Sequence, residues 1–588
     1  MEESLKWTER INLSVVRDPL QLAVFRFPDQ KFLPGITTQT LRIRYFTYMT
    51  WASNQIKERK VEPRKILDLE KILALVSAYH HENNDAPIGI RSIGDSKSGA
   101  REFLSKNSQI DLDKFTSFGK RNKKGYGEAF HGGPLQTLGI KWWENDEHKQ
   151  YVISPAGKKI SKIFSEYIKK IEDKVWLKTL KKSDLQNMTN LCCCSIPIEE
   201  QDFWKKVFFG LTKLKKDDTL EIDYEKHLEI IDADKLQFGK NYVKEFDFEA
   251  ELDEEDSEFF DTEFESDEKK GSLENEMRKA TLFLLLEIIK NSKPDSSAPK
   301  LYQTIRDSIY YSQFKVKDEI SQIDFNQKLE SYRKYWEVYA HNQYYVTIFE
   351  KTLSVILDIS KRNPFGIEID KLVKKIDSKE FLDSINKKFA EKLGFQISDS
   401  DSVQTVYDEL VNAMGDKKTE LSSPINEHDI LEKIRKPTDQ TETLGLIFVL
   451  FLLCKYRYSS FDDNALRMNN AIEHEKWNNV KPETKYDEFG KIQVTKFPEE
   501  LLRFVIKRYR RVSARKFFSN GTKAWLFTVH NDILYFNDQE KKKFKVKLYR
   551  DTKWNNVLEI MNDLGLVKKN NKDWEITEEG KIWLNKIQ

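Results

Sequence analysis

Two groups of residue types that bind metals stand out along the chain: a pair of histidines followed by two acids, and three consecutive cysteines. They are His80, His81, Glu82 and Asp85, and Cys192, Cys193 and Cys194. Imidazole, thiolate and carboxylate groups are the ligands that zinc takes in proteins. Three consecutive cysteines cannot readily occupy three corners of one tetrahedron, and the histidine group is typical of a helix end that faces water. We therefore predict small buried cysteines, no metal site and no cofactor.

A further set of residues could hydrolyse a phosphodiester bond around a metal ion. Asp532 and the run Glu540-Lys541-Lys542 follow the letters of a D…ExK nuclease site, which needs these side chains on neighbouring strands. The surrounding "NDQEKKK" instead has the composition of a polar turn. A metal-dependent nuclease is therefore kept as an alternative only. The chain has no GxxxxGKS/T motif, which argues against a P-loop ATPase, and its nine histidines show no HExxH spacing.

Two basic clusters are suited to binding the phosphates of a nucleic acid. The first, in "IKRYRRVSARKFF", comprises Lys507, Arg508, Arg510, Arg511, Arg515 and Lys516. The second, in "FGKRNKKGYGEAFHGGP", comprises Lys120, Arg121, Lys123 and Lys124. Lys and Arg neutralise phosphates, and aromatic residues beside them can stack on bases. Each cluster comes just before a predicted hairpin, and this shared position favours nucleic acid over two merely solvated surfaces.

The charge of the chain is unevenly distributed. Residues 245–268 contain fourteen acidic residues and no Lys or Arg. Removing these fourteen negative charges from the net charge of +2 leaves +16 on the remainder, which indicates an anionic partner. The acidic segment is either a solvated linker or an arm that occupies a basic groove when nucleic acid is absent, and its five phenylalanines support the second alternative.

The elements that position these residues are predicted to be mainly helices, because breakers are scarce and Lys, Glu and Leu are abundant. At roughly 100–200 residues per domain, 588 residues predict several domains. The start "MEESLKWTERINL" has no secretory pattern, and the longest apolar run, 444–454, is about half of a membrane span. The four cysteines include a run of three, so they do not form a disulfide framework. We therefore expect a cytoplasmic protein without membrane contact.

One succession of elements occurs twice. At the C-terminus, "TKWNNVLEIMNDLGL" predicts a helix that stops at Gly565, "LVKK" and "WEIT" predict two short strands, and Thr577 caps a final helix. Near residue 150, Gly139 precedes the strand "YVIS", and Ser154 followed by Pro155 begins the next helix. Helix, turn, two-stranded wing and helix is therefore predicted at both places.

Over about 35 residues at the C-terminus and about 30 near residue 150, this order resembles the winged-helix class of bacterial helix-turn-helix domains. The resemblance implies DNA binding, with a helix in the major groove and wing residues on phosphate. The helix that would enter the groove is not basic: it offers Lys553, Asn555, Asn556, Glu559 and Asp563. The wing offers Lys568, Lys569 and Lys572. Phosphate contact is therefore favoured over sequence readout, and a docking role for both modules stays open.

The stretch "LPGITTQTLRIRYF" predicts a turn at Pro34-Gly35 and a helix capped by Thr37 or Thr38. This stretch resembles bacterial proteins encoded beside helicases or nucleases in anti-phage defence operons. The resemblance implies a role in defence and a bacterial multiprotein system.

The fold class predicted is mainly α and multidomain, with small β-hairpins or wings of the winged-helix type. The predicted divisions are a helical domain with the first module (1–180), a helical segment (181–244), the acidic linker or arm (245–271), a second helical domain (272–495), and a basic segment with a hairpin and the last module (496–588). The function predicted is a non-enzymatic subunit that binds DNA phosphates without sequence specificity and works with other protein subunits. A scaffold that docks proteins through its winged helices is the first alternative, and the nuclease is the second.

Overall fold

The described part of the chain is mainly helical, as predicted, with a few small antiparallel sheets. The structure is a computed structural model. It describes residues 42–62, 65–81, 95–115, 140–143, 151–192, 194–209, 268–292, 298–316, 319–415, 419–436, 439–461, 481–520, 526–536, 553–570 and 573–585, with a few isolated residues between them.

The first part of the chain contains short helices and strands before the long undescribed stretch 210–267. In chain order they are α1 (Ile43–Glu58), α2 (Lys65–His80), α3 (Asp95–Lys106), β1 (Gln109–Asp111), β2 (Lys141–Trp143), β3 (Tyr151–Ile153), α4 (Pro155–Ile168), α5 (Glu172–Val175), β4 (Thr179–Lys181), α6 (Lys182–Asn187), a 3₁₀ turn (Thr189–Leu191) and α7 (Ile198–Phe208).

The second part has longer helices and ends in two hairpins. Its elements are α8 (Glu268–Asn291), α9 (Ala298–Tyr311), β5 (Gln313–Val316), β6 (Glu319–Gln322), α10 (Gln327–Lys361), β7 (Ile367–Glu368), α11 (Ile369–Val373), α12 (Ser378–Leu393), α13 (Val403–Met414), α14 (Glu427–Arg435), α15 (Gln440–Tyr458), α16 (Pro482–Gly490), a 3₁₀ turn (Val494–Lys496), α17 (Phe497–Asn520), β8 (Phe527–His530), β9 (Ile533–Phe536), α18 (Trp554–Asp563), β10 (Val567–Asn570), β11 (Asp573–Ile576) and α19 (Glu578–Leu584).

The strands form hairpins and short antiparallel ladders. β2–β3, β5–β6 and β10–β11 pair as neighbours, β1 pairs with β4, and β9 lies between β8 and β7. In the β8–β9 turn, Asn531 and Asp532 have φ values of 48° and 58°, the left-handed conformation that a two-residue hairpin turn requires. The hairpin predicted from "KAWLFTVHNDILYF" is therefore confirmed, whereas its pairing with β7 has no local signal in the sequence.

Buried apolar side chains form two large cores. The first contains residues of α1, α2, α4, α7 and α8, together with the C-terminal segment 553–585. The second contains residues of α12, α14, α15 and α17, together with β8 and β9. The residues grouped by the sequence into one last division, 496–588, therefore contribute to both cores.

The long helix α10 passes through both cores. At 1.5 Å per residue, its 35 residues span about 52 Å. Residues from 329 to 339 pack in the first core, and residues from 344 to 359 pack in the second. Near the end of the first of these stretches, the buried Glu337 carboxylate lies 2.9 Å from Arg333 Nη2 of the same helix and 2.8 Å from Arg457 Nη1 of α15. Since an unpaired buried charge is costly, the ion pair with Arg457 fixes the position of α10 against α15.

The apolar run 444–454 lies within α15, and all of its residues are buried in the second core. The prediction of a buried core helix is confirmed. None of the helices in the described ranges combines the length and the apolar character that crossing a bilayer requires.

The two segments with the same predicted succession of elements have the same local geometry. We call them the first module (residues 140–168) and the C-terminal module (residues 553–585). Ser154 Oγ accepts a hydrogen bond of 3.0 Å from the Gly157 N–H at the start of α4. Thr577 Oγ1 accepts one of 3.0 Å from the Gly580 N–H at the start of α19. Both predicted caps are confirmed.

The same two glycines explain why the helices can pack so closely on their hairpins. A Cβ atom on Gly157 would overlap the carbonyl oxygen of Ile140, the residue just before β2. A Cβ atom on Gly580 would overlap the carbonyl oxygen of Leu566, the residue just before β10. The hairpin and the helix that follows it therefore meet in the same way in both modules, and the third residue of that helix must be glycine. The helix that the sequence predicts before the first hairpin falls mostly outside the described residues.

The C-terminal module caps the first helix of the chain. α1 begins at Ile43, and its flanking residue Arg42 provides no side-chain cap. Asp563, the last residue of α18, instead accepts a 2.9 Å hydrogen bond from the Ile43 N–H and pairs with Arg42 at 2.7 Å. The prediction that Thr37 or Thr38 caps this helix is wrong, because the helix begins only at Ile43, after an extended Arg42. The two threonines themselves lie outside the described residues. The predicted turn before them is present, with Gly35 at φ 77°.

Candidate nucleic-acid interface and candidate metal centre

A basic face lies on helix α17. Lys507, Arg510 and Arg511 are exposed, and their spacing of three and four residues places them on one side of the helix. None of the three forms an ion pair or a hydrogen bond with the described residues. Arg503, one turn earlier on the same side, is paired with Asp370 of α11 at 2.6 Å. We call Lys507, Arg510 and Arg511 the α17 basic face.

Arg508 belongs to the opposite part of this helix. Its side chain is buried, and its Nε donates a 2.9 Å hydrogen bond to the carbonyl oxygen of Leu20. The neighbouring Tyr509 packs its ring on Phe527 of β8, with ring centroids 4.1 Å apart. Arg508 therefore stabilises the packing of α17 against the segment at Leu20. Because its side chain is buried, it is not one of the residues that can contact a phosphate. The helix continues through 515 and 516, but those two side chains lie outside the described residues.

The α17 basic face borders the short helix α11. The pKa of Asp370 on α11 is lowered, first by its hydrogen bond with Arg503 and further by Lys374 one turn along α11. Lys374 is itself exposed. Arg503 is thus paired with Asp370 and with Glu499, whereas Lys507, Arg510 and Arg511 have no such partner among the described residues and can attract an anion.

The lysines of the β10–β11 hairpin are differently placed. Lys568 pairs with Glu575 at 3.3 Å, across the hairpin. Lys569 pairs with Glu559 of α18 at 2.9 Å, and its ammonium lies 5.0 Å from the centre of the Trp574 ring. A phosphate would have to compete with these carboxylates. Lys572 lies outside the described residues.

Helix α18, which corresponds to the groove-entering helix in the predicted modules, makes contacts inside the protein. Besides Asp563, it contributes Asn555, whose Oδ1 accepts a 2.7 Å hydrogen bond from the Tyr302 hydroxyl. The Trp554 ring lies 4.8 Å from that of Trp336 in α10. The side chains of Lys553, Asn556 and Glu559 are buried as well. In this arrangement α18 is not available to enter a groove.

Several predicted residues lie outside the part of the chain that the structure describes. They are the second basic cluster (Lys120, Arg121, Lys123 and Lys124), the acidic segment up to residue 267, and the Glu540-Lys541-Lys542 run. Asp532, the other member of the predicted nuclease set, lies exposed in the β8–β9 turn, where its carbonyl oxygen accepts a hydrogen bond of 2.8 Å from the Ile369 N–H.

The structure brings together two histidines and two cysteines that are more than a hundred residues apart in sequence. His81 Nε2 lies 3.2 Å from Cys192 Sγ, and His80 Nδ1 lies 3.3 Å from Cys194 Sγ. The two sulfur atoms are 3.5 Å apart, and all four ligand atoms lie within 4.8 Å of one another. Among the described residues, no other group of three or more His, Cys, Asp or Glu side chains is gathered closely enough for a metal ion. We call these four residues the His/Cys cluster.

Two rigid elements hold the His/Cys cluster. His80 ends α2, and the His81 N–H still donates to Ser77 of that helix at 3.2 Å. On the other side, the chain turns sharply after the 3₁₀ turn, with the Ser195 N–H donating to the Cys192 carbonyl at 3.0 Å. Arg101 of α3 donates to the His81 carbonyl at 2.6 Å and so fixes the helix end. Because of this turn, the side chains of Cys192 and Cys194 both lie beside the two histidines.

The electrostatics of the His/Cys cluster favour a thiolate. The pKa of Cys194 is lowered to about 4, first by its hydrogen bond with the Cys192 thiol and then by His80 and His81, against the opposing effect of partial burial. Burial instead raises the pKa of Cys454 in the second core. Cys192 is buried, as predicted for the cysteines, whereas Cys194 is exposed, and Cys193 lies outside the described residues.

The prediction that the histidines face water is wrong for His81, which is buried against Cys192. The two groups lie more than a hundred residues apart in the sequence, and no local pattern connects them. The signal that the sequence does carry is the residue types themselves, since His and Cys are the ligands that zinc takes in structural sites.

Comparison of the chain with protein-family models, with curated proteins and with solved structures gives no match in any of the three.

Proposed function

We propose that this chain is a non-enzymatic subunit that binds nucleic acid through phosphate contacts made by the α17 basic face. The observation that carries the proposal is the row of three exposed cations, Lys507, Arg510 and Arg511, without carboxylate partners among the described residues. A cation without an internal partner can bind a phosphate without first breaking an ion pair, and it releases condensed counterions when it does so.

The spacing of the α17 basic face suits a phosphate backbone. One helical turn separates Lys507 from Arg511, a rise of about 6 Å. Long, flexible Lys and Arg side chains extend this span, so the three cations can contact about three phosphates of one strand. Such contacts position a protein on the backbone and carry no sequence information. We therefore expect the protein to bind DNA through its phosphates and independently of the base sequence.

The two winged-helix-like modules take a packing role in this proposal. In the C-terminal module, α18 is occupied by Arg42, Tyr302 and Trp336, and both described hairpin lysines are paired with acids. These contacts support docking within the chain over insertion of α18 into a groove. We further propose that the protein works beside other subunits of a bacterial system, with anti-phage defence as the role that the resemblance of "LPGITTQTLRIRYF" implies.

The test is a direct binding measurement on the full chain. A triple variant, Lys507→Glu, Arg510→Glu and Arg511→Glu, is compared with wild type for a labelled duplex and a labelled single strand of about 30 nucleotides at low salt. We expect its affinity to fall by at least about tenfold, since three attractive charges become repulsive. A far-ultraviolet circular dichroism spectrum checks that the variant is folded.

The matched control reverses three exposed lysines of α12. Lys379, Lys387 and Lys392 lie on the surface of that helix, so their replacement by Glu changes the net charge by the same amount. If the control variant loses affinity as strongly as the α17 variant, binding depends on net charge alone and the proposed site is wrong. If neither variant differs from wild type, phosphates bind elsewhere or not at all.

Docking of a partner protein is the second candidate, and one observation favours it. Phe365, in the loop between α10 and β7, is 93% exposed, and Tyr535 on the adjacent strand β9 is 39% exposed. Exposed aromatic side chains are frequent anchors in protein interfaces. A photo-crosslinking amino acid at position 365 tests this in cells: a single defined adduct supports a docking surface, and no adduct argues against it.

A further inference from the structure

The His/Cys cluster has the composition and the dimensions of a zinc site. A zinc ion bound tetrahedrally at about 2.3 Å from sulfur and about 2.1 Å from nitrogen sets its ligand atoms about 3.3–3.8 Å apart. The three measured separations are 3.2, 3.3 and 3.5 Å, and none of the six exceeds 4.8 Å. The four ligand atoms are therefore close enough together for one ion to bind to all of them.

We propose that His80, His81, Cys192 and Cys194 bind one zinc ion as a structural site. All four tetrahedral positions are filled by protein ligands, so no position is left for a water nucleophile or a substrate. Two sulfur and two nitrogen ligands are also a set that Zn²⁺ accepts, whereas Mg²⁺ and Ca²⁺ take oxygen ligands. The site shares no residue with the α17 basic face, so each proposal can be tested without changing the residues of the other.

The proposed ion would connect two segments that lie more than a hundred residues apart in the sequence. One ligand pair ends α2, and the other follows the 3₁₀ turn of residues 189–191. Binding at a preformed cluster adds its free energy to folding, because the unfolded chain does not hold the four ligands together. The zinc ion would therefore stabilise the packing of α2 against the segment 189–197.

The experiment uses the full chain, purified under reducing conditions, supplied with Zn²⁺ and then freed of unbound metal. We expect about one zinc per chain by elemental analysis, and less than about 0.1 in the double variant Cys192→Ser, Cys194→Ser. Cys454→Ala, which removes a buried cysteine outside the cluster, is the matched control and keeps one zinc. Replacing zinc by Co²⁺ should give the intense visible absorption of tetrahedral cobalt bound to thiolate, and the double variant should lack it.

A milder variant keeps the test valid if the double variant does not fold. His80 is exposed, so His80→Asn leaves the core intact. Loss of a residue that only supports a metal ligand weakens metal binding by up to about 100-fold, and loss of a ligand itself should weaken zinc binding by more than that. His530→Asn, at an exposed histidine of β8, is its control. Wild-type protein without bound zinc, or a folded double variant that retains zinc, would each overturn the proposal.

Discussion

The contact of Asp563 with the start of α1 allows a quantitative prediction about how the C-terminal module is held. Arg42 Nε lies 2.9 and 3.0 Å from the two carboxylate oxygens of Asp563, and its Nη2 lies 2.7 Å from Oδ1. The Ile43 N–H donates to the same carboxylate at 2.9 Å. Both charged side chains are buried. Burial raises the pKa of Asp563, and Arg42 opposes this rise, so the charged form of Asp563 depends on Arg42.

Asp563→Ala removes the carboxylate that pairs with the buried Arg42. Breaking a buried ion pair in this way costs about 3–5 kcal/mol. The lost helix cap contributes about 1 kcal/mol within that range. We expect the free energy for opening the contact between α1 and the C-terminal module to fall by about 3–5 kcal/mol, which is roughly a hundred- to several-thousand-fold in the opening equilibrium.

Native-state hydrogen exchange read by mass spectrometry measures this opening directly. Peptides that cover residues 43–58 and 553–563 should exchange faster by that factor, while peptides of α15 in the second core should not change. Asn562→Ala, at the neighbouring residue of α18, is the matched control and should leave the exchange within about threefold of wild type, since surface substitutions change stability by less than about 0.5 kcal/mol.

A double-mutant cycle completes the test. The cycle uses Arg42→Met, Asp563→Leu and the variant that combines them. The combined variant replaces the ion pair by apolar side chains, and it should be more stable than the sum of the two single changes predicts. Two results would show that the buried ion pair does not join α1 to the module. One is a hydrogen-exchange rate in Asp563→Ala equal to that of wild type, and the other is strictly additive changes in free energy for the two single variants of the cycle.

Two further predictions concern the repeated module and the second core. Gly580→Ala should destabilise the C-terminal module by about 1–3 kcal/mol in urea denaturation, because its Cβ meets the backbone of Leu566, whereas Gly490→Ala meets only flexible side chains and should not. Burial lowers the pKa of His341 to about 3 from 6.5, so stability is complete above pH 6.5 and falls toward pH 3, by up to about 1.4 kcal/mol per pH unit. His341→Gln should remove the contribution of His341 to this pH dependence, whereas His530→Gln should not change the profile. An unchanged profile of stability against pH in His341→Gln would contradict the prediction.

Local signals in the sequence predicted much of the fold. The caps Ser154 and Thr577, the left-handed Gly565 and the hairpin strands all depend on neighbouring residues, and each is present in the structure. The apolar run of α15 likewise predicted a buried helix, because the run is too short to cross a membrane and its side chains are too apolar to face water.

Contacts between distant residues could not be predicted in the same way. The cap of α1 comes from Asp563, more than five hundred positions later, and the His/Cys cluster joins two groups that are more than a hundred residues apart. A single sequence carries no information about which distant segments meet. The sequence shows the basic cluster at 507–516, but it does not show which of its side chains are exposed. Only the helical phase of α17 separates the buried Arg508 from the exposed cations.

The most direct test of the proposed function is the salt dependence of DNA binding by wild type and by the α17 triple variant. Each phosphate contact contributes about 0.9 to the slope of the logarithm of affinity against the logarithm of salt concentration on duplex DNA. Loss of three contacts should therefore make the slope of the variant shallower by about 2.7. A slope equal to that of wild type would show that Lys507, Arg510 and Arg511 do not contact phosphates.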